Sequence, residues 1–185
     1  MAPAQPSSRK LTYDDFLLFP DDGQRHELIE GEHYVTPSPT TRHQQLSVRL
    51  TVALANHIEA YPGPSVFHAP LDCVFTTFDI VEPDILVITS DQQDIVTEQN
   101  VRGAPALVVE ILSPGTRRVD LGVKLRLYDR VGVREYWVVD SIGNHVEVHR
   151  RTEQGRLERA ALSDSDTLTT PLLPGFSLDL GTFFE

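Results

Sequence analysis

Three charged side chains sit where the surrounding sequence has no place for charge. Glu110 lies inside ALVVEIL, residues 106–112, with apolar neighbours on both sides. A continuous apolar run of this kind reads as a strand covered on both faces. An ionised carboxylate there costs several kcal/mol unless a cation pairs with it. Lys124 is the i+3 member of an apolar helical stripe made by Leu121, Leu125 and Tyr128, which points an ammonium at the core. Asp84 heads the run DILVI directly after Pro83, whose ring fixes its own φ and biases Glu82 toward extended backbone. Two carboxylates from neighbouring strands make an oxygen-ligand pair suited to magnesium, which takes one or two carboxylates plus waters and substrate phosphate. A lysine beside them supplies positive charge.

Each residue also has a plainer reading. Glu110 could be a satisfied core ion pair. Lys124 could lay its stem on apolar surface with its head in water. Asp84 could simply start a strand after proline. The three together, in the order strand, strand, helix, favour a site, because groups with perturbed titration cluster where chemistry is done.

The elements that would position them follow from pattern. Thr12–Phe19 reads as a short helix stopped by Pro20. HELIEGEHYV, residues 26–35, reads as two strands about Gly31. Leu46, Leu50, Ala53, Leu54 and Ile58 recur at helical spacing, which predicts a long amphipathic helix over 40–60, capped by Thr40 or Thr41 and ended before Pro62 and Gly63. Strand-like runs follow at 65–68, 71–76, 84–89 and 106–112. A second helix spans 116–130 after Pro114-Gly115 and stops at Gly132. Then come VREYWVVD (133–140), a turn at Gly143-Asn144 and the strand HVEVHR. The tail from Leu157 reads as an edge hairpin and an irregular wrap. The succession 106–112, helix, 133–140 is a β-α-β unit with parallel strands. The fold class is therefore α/β, a mixed sheet flanked by helices.

At 185 residues, 40% hydrophobic and 23% charged, the chain is expected to form one domain over 11–185. Residues 1–10 read as a disordered lead-in without the apolar core of a secretory signal. No run approaches the roughly 18 apolar residues of a membrane span, so no membrane partner is expected. The single cysteine, Cys73, excludes an internal disulfide and a cysteine-rich zinc site, and fits a reducing, cytoplasmic setting. The net charge of −11 argues against a surface that grips nucleic acid throughout. It leaves room for an enzyme that meets phosphates through a local patch and a bound divalent cation.

The strings EPDILVITS and ALVVEILSPGTRRVDLGVKLRLYDRVGVREYWVVD, preceded by HELIEGEHYVTPSPTTRHQQ, resemble the Uma2 family of restriction-endonuclease-like proteins in the PD-(D/E)XK nuclease superfamily. The resemblance runs from Tyr13 to His149. It implies a restriction-endonuclease-like core, with Pro83-Asp84 as the "PD" element and Glu110 as the second acid. The superfamily pattern puts lysine two residues after the acid, where this chain has Leu112; the Uma2 resemblance assigns that role to Lys124 on the following helix. Glu27 and His43 also match family positions and would line the site, although His43 could equally serve at the helix start.

The reaction so implied is metal-dependent hydrolysis of a phosphodiester in nucleic acid, DNA being the expected partner, with Asp84 and Glu110 holding Mg2+ or Mn2+. Arg117, Arg118, Arg126 and Arg130, with Arg42 and Arg49, would offer phosphate contacts or else form solvated helix faces. A homodimer would suit double-strand cutting. The main rival is a catalytically silent module with the nuclease fold. A glycosidase would also use two carboxylates but has no need of the lysine. No GxSxG elbow, Walker loop or dinucleotide fingerprint occurs. His145 and His149, four apart on a strand, share one face but lie too far apart for one zinc. Trp137 and Tyr136 read as core.

Overall fold

The computed structural model describes residues 9–113 and 115–185, so Pro114 and most of the expected lead-in lie outside the described residues. Thr12 caps a single helical turn, α1 (Tyr13–Phe16): its hydroxyl accepts from the Asp15 N–H while Asp15 accepts from the Thr12 N–H. This helix is shorter than expected, since the next residues turn before Pro20. β1 (Arg25–Ile29) and β2 (Glu32–Thr36) form the predicted hairpin. Its turn needs Gly31, at φ 75°, because a Cβ there would come within 2.6 Å of the Lys10 Cβ.

α2 (Thr41–Ala60) is capped by the Thr40 hydroxyl and buries Leu46, Leu50 and Leu54 completely. Each such leucine is worth roughly 1.5–3 kcal/mol. β3 (Ser65–His68), β4 (Cys73–Thr76), β5 (Asp79–Val81), β6 (Ile85–Ile88), β7 (Val101–Arg102) and β8 (Leu107–Leu112) follow. β5 escapes the sequence reading because it is three residues long between tight turns. The predicted helix over 116–130 is in fact two pieces, a π-helical turn at Val119–Lys124 continuing into α3 (Leu125–Val131). The wider turn shifts the helical phase. Leu121 and Leu125 are only half-buried, while Asp120, Lys124, Leu127 and Tyr128 face inward. Gly132, in the left-handed region, ends α3.

β9 (Glu135–Asp140), β10 (His145–Arg151) and β11 (Leu157–Leu162) complete one sheet, and β12 (Thr167–Thr169), β13 (Ser177–Asp179) and α4 (Leu180–Phe184) close the chain. The tail is thus more regular than the expected wrap. Instead of one mixed sheet there are two large ones. The first runs β11-β10-β9-β8-β6-β3, with β8 and β9 parallel as the β-α-β reading requires. The second runs β2-β1-β5-β4-β7. Side chains alternate across β8. Leu107, Val109 and Ile111 pack toward α2 and α4 with Trp137, whereas Val108 and Leu112 pack toward α3 and the second sheet with Tyr136. Helices and a second sheet therefore sandwich the first, and α1 covers the outer face of the second sheet. No helix among the described residues is long and apolar enough to cross a membrane.

Candidate active site

Glu110 points to the α3 side of β8, between Val108 and Leu112. Its burial is almost complete, at 3% exposure. The antiparallel register that sets Ile85 against Val109 brings Asp84, one residue earlier, alongside Glu110. Asp84 Oδ2 accepts from the Ile111 N–H at 2.8 Å, which locks the two strand ends together. Lys124 reaches them from the π-helical turn. Its Nζ donates to Glu110 Oε1 at 2.9 Å and lies 2.9 Å from Glu27 Oε1 and 3.8 Å from Asp120 Oδ1. Lys124 therefore ties Glu27 on β1, in one sheet, to Glu110 on β8, in the other. Of the residues singled out in the sequence, Asp84, Glu110, Lys124, Glu27 and His43 meet in this one place.

Asp84 has its own partners. His43 Nε2 lies 3.0 Å from Oδ2, and Arg25 Nη1 donates to Oδ1 at 3.0 Å. Burial works to raise the Asp84 pKa, but the His43 bond, the Arg25 charge and the Ile111 N–H outweigh it and hold the carboxyl below the usual range. Glu110 goes the other way. Burial, reinforced by the like charges of Asp120, Asp84 and Glu27, pushes it up to about 8 against the pull of Lys124. Burial likewise raises Asp120 to about 6. Lys124 keeps its proton despite burial because Glu110, Glu27 and Asp120 surround it.

The cluster is short of positive charge. Glu27, Asp84, Glu110 and Asp120 are four carboxylates, and Lys124 and Arg25 are two cations. With all four carboxylates ionised, the shortfall equals one divalent ion. A crevice of about 10 Å3, lined by Asp84, Glu110, Asp120 and Lys124 among others, has room for about one water molecule or ion. Among the described residues, the Lys124 and Tyr128 bonds both fall on Glu110 Oε1, leaving Oε2 free of hydrogen bonds. No group of three or more His, Cys, Asp or Glu side chains among the described residues is arranged to hold an ion unaided. An ion held by Asp84 and Glu110 would complete its shell with water and substrate oxygens, as magnesium does.

A model of the family described as "Uma2: Putative restriction endonuclease" matches residues 13–181. The chain belongs to the Uma2 family. Its relatives include an uncharacterised protein of Synechocystis sp., 28% identical over 149 residues that make up 79% of this chain and 77% of that protein. The fold is similar to the crystal structure of a "putative nuclease belonging to DUF820" from Anabaena variabilis, with a TM-score of 0.79 and 20% identity over 94% of this chain and 97% of that one. That likeness speaks for the fold alone. Family membership supports a nuclease reading and, with it, a nucleic-acid substrate.

In this Uma2 chain several arginines lie elsewhere than expected. Arg42 and Arg49 grip the carbonyls of Phe184 and Phe183 at the end of α4, so they hold the tail rather than a phosphate. Arg130 pairs with Glu30 and Asp79, and Arg117 with Asp140. Arg118 and Arg126 are exposed. His145 lies 3.9 Å from Asp140, and His149 stacks on Tyr136. Sequence reasoning missed Arg25, Asp120 and the Tyr128 hydroxyl. Only Asp120 carried a signal: it stands four residues before Lys124 on the same helix.

Proposed function

We propose that the protein is a metal-dependent endonuclease that hydrolyses phosphodiester bonds in nucleic acid, DNA in the first place, with Mg2+ or Mn2+ held by Asp84 and Glu110. The observation that carries this reading is the charge shortfall in the buried cluster, two cations against four carboxylates. The ion, when bound, supplies the two missing charges, lowers the pKa of a water and offsets charge gathering on the phosphate. The chain's own residues prepare the site. The Ile111 N–H, Arg25 and His43 fix the Asp84 carboxylate in its ionised form. Tyr128 donates to Glu110 Oε1 at 2.7 Å and orients that carboxylate, leaving its other oxygen for the ion. Glu27 restrains Lys124 from the side of the second sheet, so that its ammonium stays beside the reacting group and can donate to a phosphate oxygen or to the attacking water.

The test is incubation of the purified protein with Mg2+ or Mn2+ and plasmid DNA, single-stranded DNA or RNA. Wild type should cut, and Asp84→Ala and Lys124→Ala should not. A wild type that cuts nothing, or variants that cut as well as wild type, would end the reading. The net charge of −11 favours one alternative, a silent nuclease fold acting as a binding or assembly module. Manganese titration separates the two, since only a competent site requires both Asp84 and Glu110 for binding.

A further inference from the structure

The crevice at Asp84 opens into a much larger groove of about 710 Å3, within the range of roughly 300–1,000 Å3 usual for ligand pockets. Arg25, His43 and Asp84 line both. One wall is a face of α2, where Gln44, Ser47, Val48, Thr51 and Val52 recur at helical spacing. Val48 and Val52 stay more than half exposed, at 59% and 51%. His68 and Glu82 line it too.

Three observations say what this groove takes. Among the described residues, four buried side-chain polar atoms have no hydrogen-bond partner, and three belong to groove residues: His43 Nδ1, Thr51 Oγ1 and Glu82 Oε2. Leaving such atoms unpaired is costly, and a ligand that drew them to the groove surface with its own donors and acceptors would remove the cost. His43 is 4% exposed and its other nitrogen already faces Asp84. The groove is also poor in cations. Among the described residues Arg25 is its only arginine and is tied to Asp84, while Asp21 and Asp84 add negative charge. A phosphate backbone would be repelled along it, whereas a flat, neutral group with polar edges would not. Finally, Arg42, Arg49, Arg117 and Arg130 are committed to protein acceptors, which weakens any grip on the two backbones of a duplex.

We propose that the groove receives an unpaired nucleobase next to the phosphate held at Asp84 and Glu110, so that the protein acts on single-stranded or locally opened nucleic acid. Val48 and Val52 meet the face of the base; Thr51, Glu82 and His43 meet its polar edge. This rests on the nuclease reading of the adjoining site, and the experiment separates the two. Anisotropy with Ca2+ in place of Mn2+ measures binding of a fluorescein-labelled 12-nucleotide strand, its blunt duplex, and a set of strands each lacking one base, while cutting with Mn2+ is assayed in parallel. The strand should bind at least about tenfold more tightly than the duplex, the equivalent of about one to two hydrogen bonds. One abasic position should lose that advantage. Ser47→Trp, which fills the groove from the α2 surface, should lose it too, and the abasic strand should lose nothing further in that variant. Val48→Glu, on an exposed helical position, serves as the second variant, and a thermal melt verifies that both fold. Equal or tighter duplex binding, indifference to the abasic position and to both variants, or no binding at tens of micromolar overturns the proposal. Base-dependent binding without cutting would sink the nuclease reading and leave the groove standing. Cutting of duplex at a rate unmoved by Ser47→Trp would do the reverse.

Discussion

Two buried glutamates on adjacent parallel strands of one sheet differ sharply in their surroundings. Glu135 opens β9 at 1% exposure, and Glu110 lies toward the end of β8 at 3%. Glu135 Oε1 accepts from Arg150 Nε at 2.7 Å and from the Thr170 hydroxyl at 3.0 Å, while Oε2 accepts from Trp137 Nε1 at 2.9 Å. One anion meets one cation and two neutral donors, and the charges balance. Glu110 shares a single ammonium with Glu27 and Asp120 and lies beside Asp84. Burial of a carboxylate thus does not mark a site by itself. A deficit of positive charge does, because a folded protein leaves such a deficit at a cost that only a bound cation or a proton relieves.

The sharpest way to break this comparison is to neutralise each acid in turn. Glu110→Gln and Asp84→Asn should each lower the rate of plasmid nicking by at least about 100-fold. Glu135→Gln should leave the nicking rate within about threefold of wild type, since the effect of removing a distant, balanced pair is confined to stability. Equal losses at Glu110 and Glu135 would erase the distinction.

Metal linkage comes next in size. At a hundred times its Kd, manganese should stabilise the wild type by about 2.7 kcal/mol, a rise of roughly 5–10 °C in Tm for a chain of this length. Scanning calorimetry should find the same rise in Glu135→Gln and none in Asp84→Asn or Glu110→Gln. Without metal the order of damage reverses. Urea unfolding in EDTA should show Glu135→Gln less stable by about 1–3 kcal/mol, because the amide cannot satisfy Arg150, Trp137 and Thr170 together. Glu110→Gln should be neutral or stabilising, since it relieves the cost of a carboxyl buried among like charges.

The same contrast explains what the sequence could and could not disclose. Glu110 and Lys124 are legible because each interrupts an apolar pattern, and Asp84 because proline fixes its position at a strand start. Glu135, in VREYWVVD, interrupts its strand no less, yet its partners Arg150 and Thr170 lie 15 and 35 residues away and can be paired with it only in space. Arg25 is 59 residues from Asp84, with no pattern to join them. Asp120 stands four residues before Lys124 and shares its face, but the apolar stripe through Leu121 and Leu125 masked it; in the fold those leucines are only half-buried while Asp120 and Lys124 face inward. The β-α-β unit and the long α2 were legible because hydrophobic period alone determines them. The division of the strands into two sheets was not, because it depends on which strand edges pair.

The smallest expected effect is a slope. The Glu110 pKa stands at about 8 in the fold against an ordinary 4.5, so between those values the folded protein binds more protons than the unfolded chain. Stability therefore falls as pH rises through that window, and Asp120, raised to about 6, adds to the fall in its lower part. Urea midpoints collected in EDTA from pH 4.5 to pH 8 should decline for wild type and for Glu135→Gln, and decline less for Glu110→Gln. Manganese should oppose the decline, because it competes with protons for the same oxygens and its stabilising effect grows as they ionise. A slope unchanged by Glu110→Gln would mean that the extra proton of the folded state lies on another group, and the contrast between the two glutamates would then rest on geometry alone.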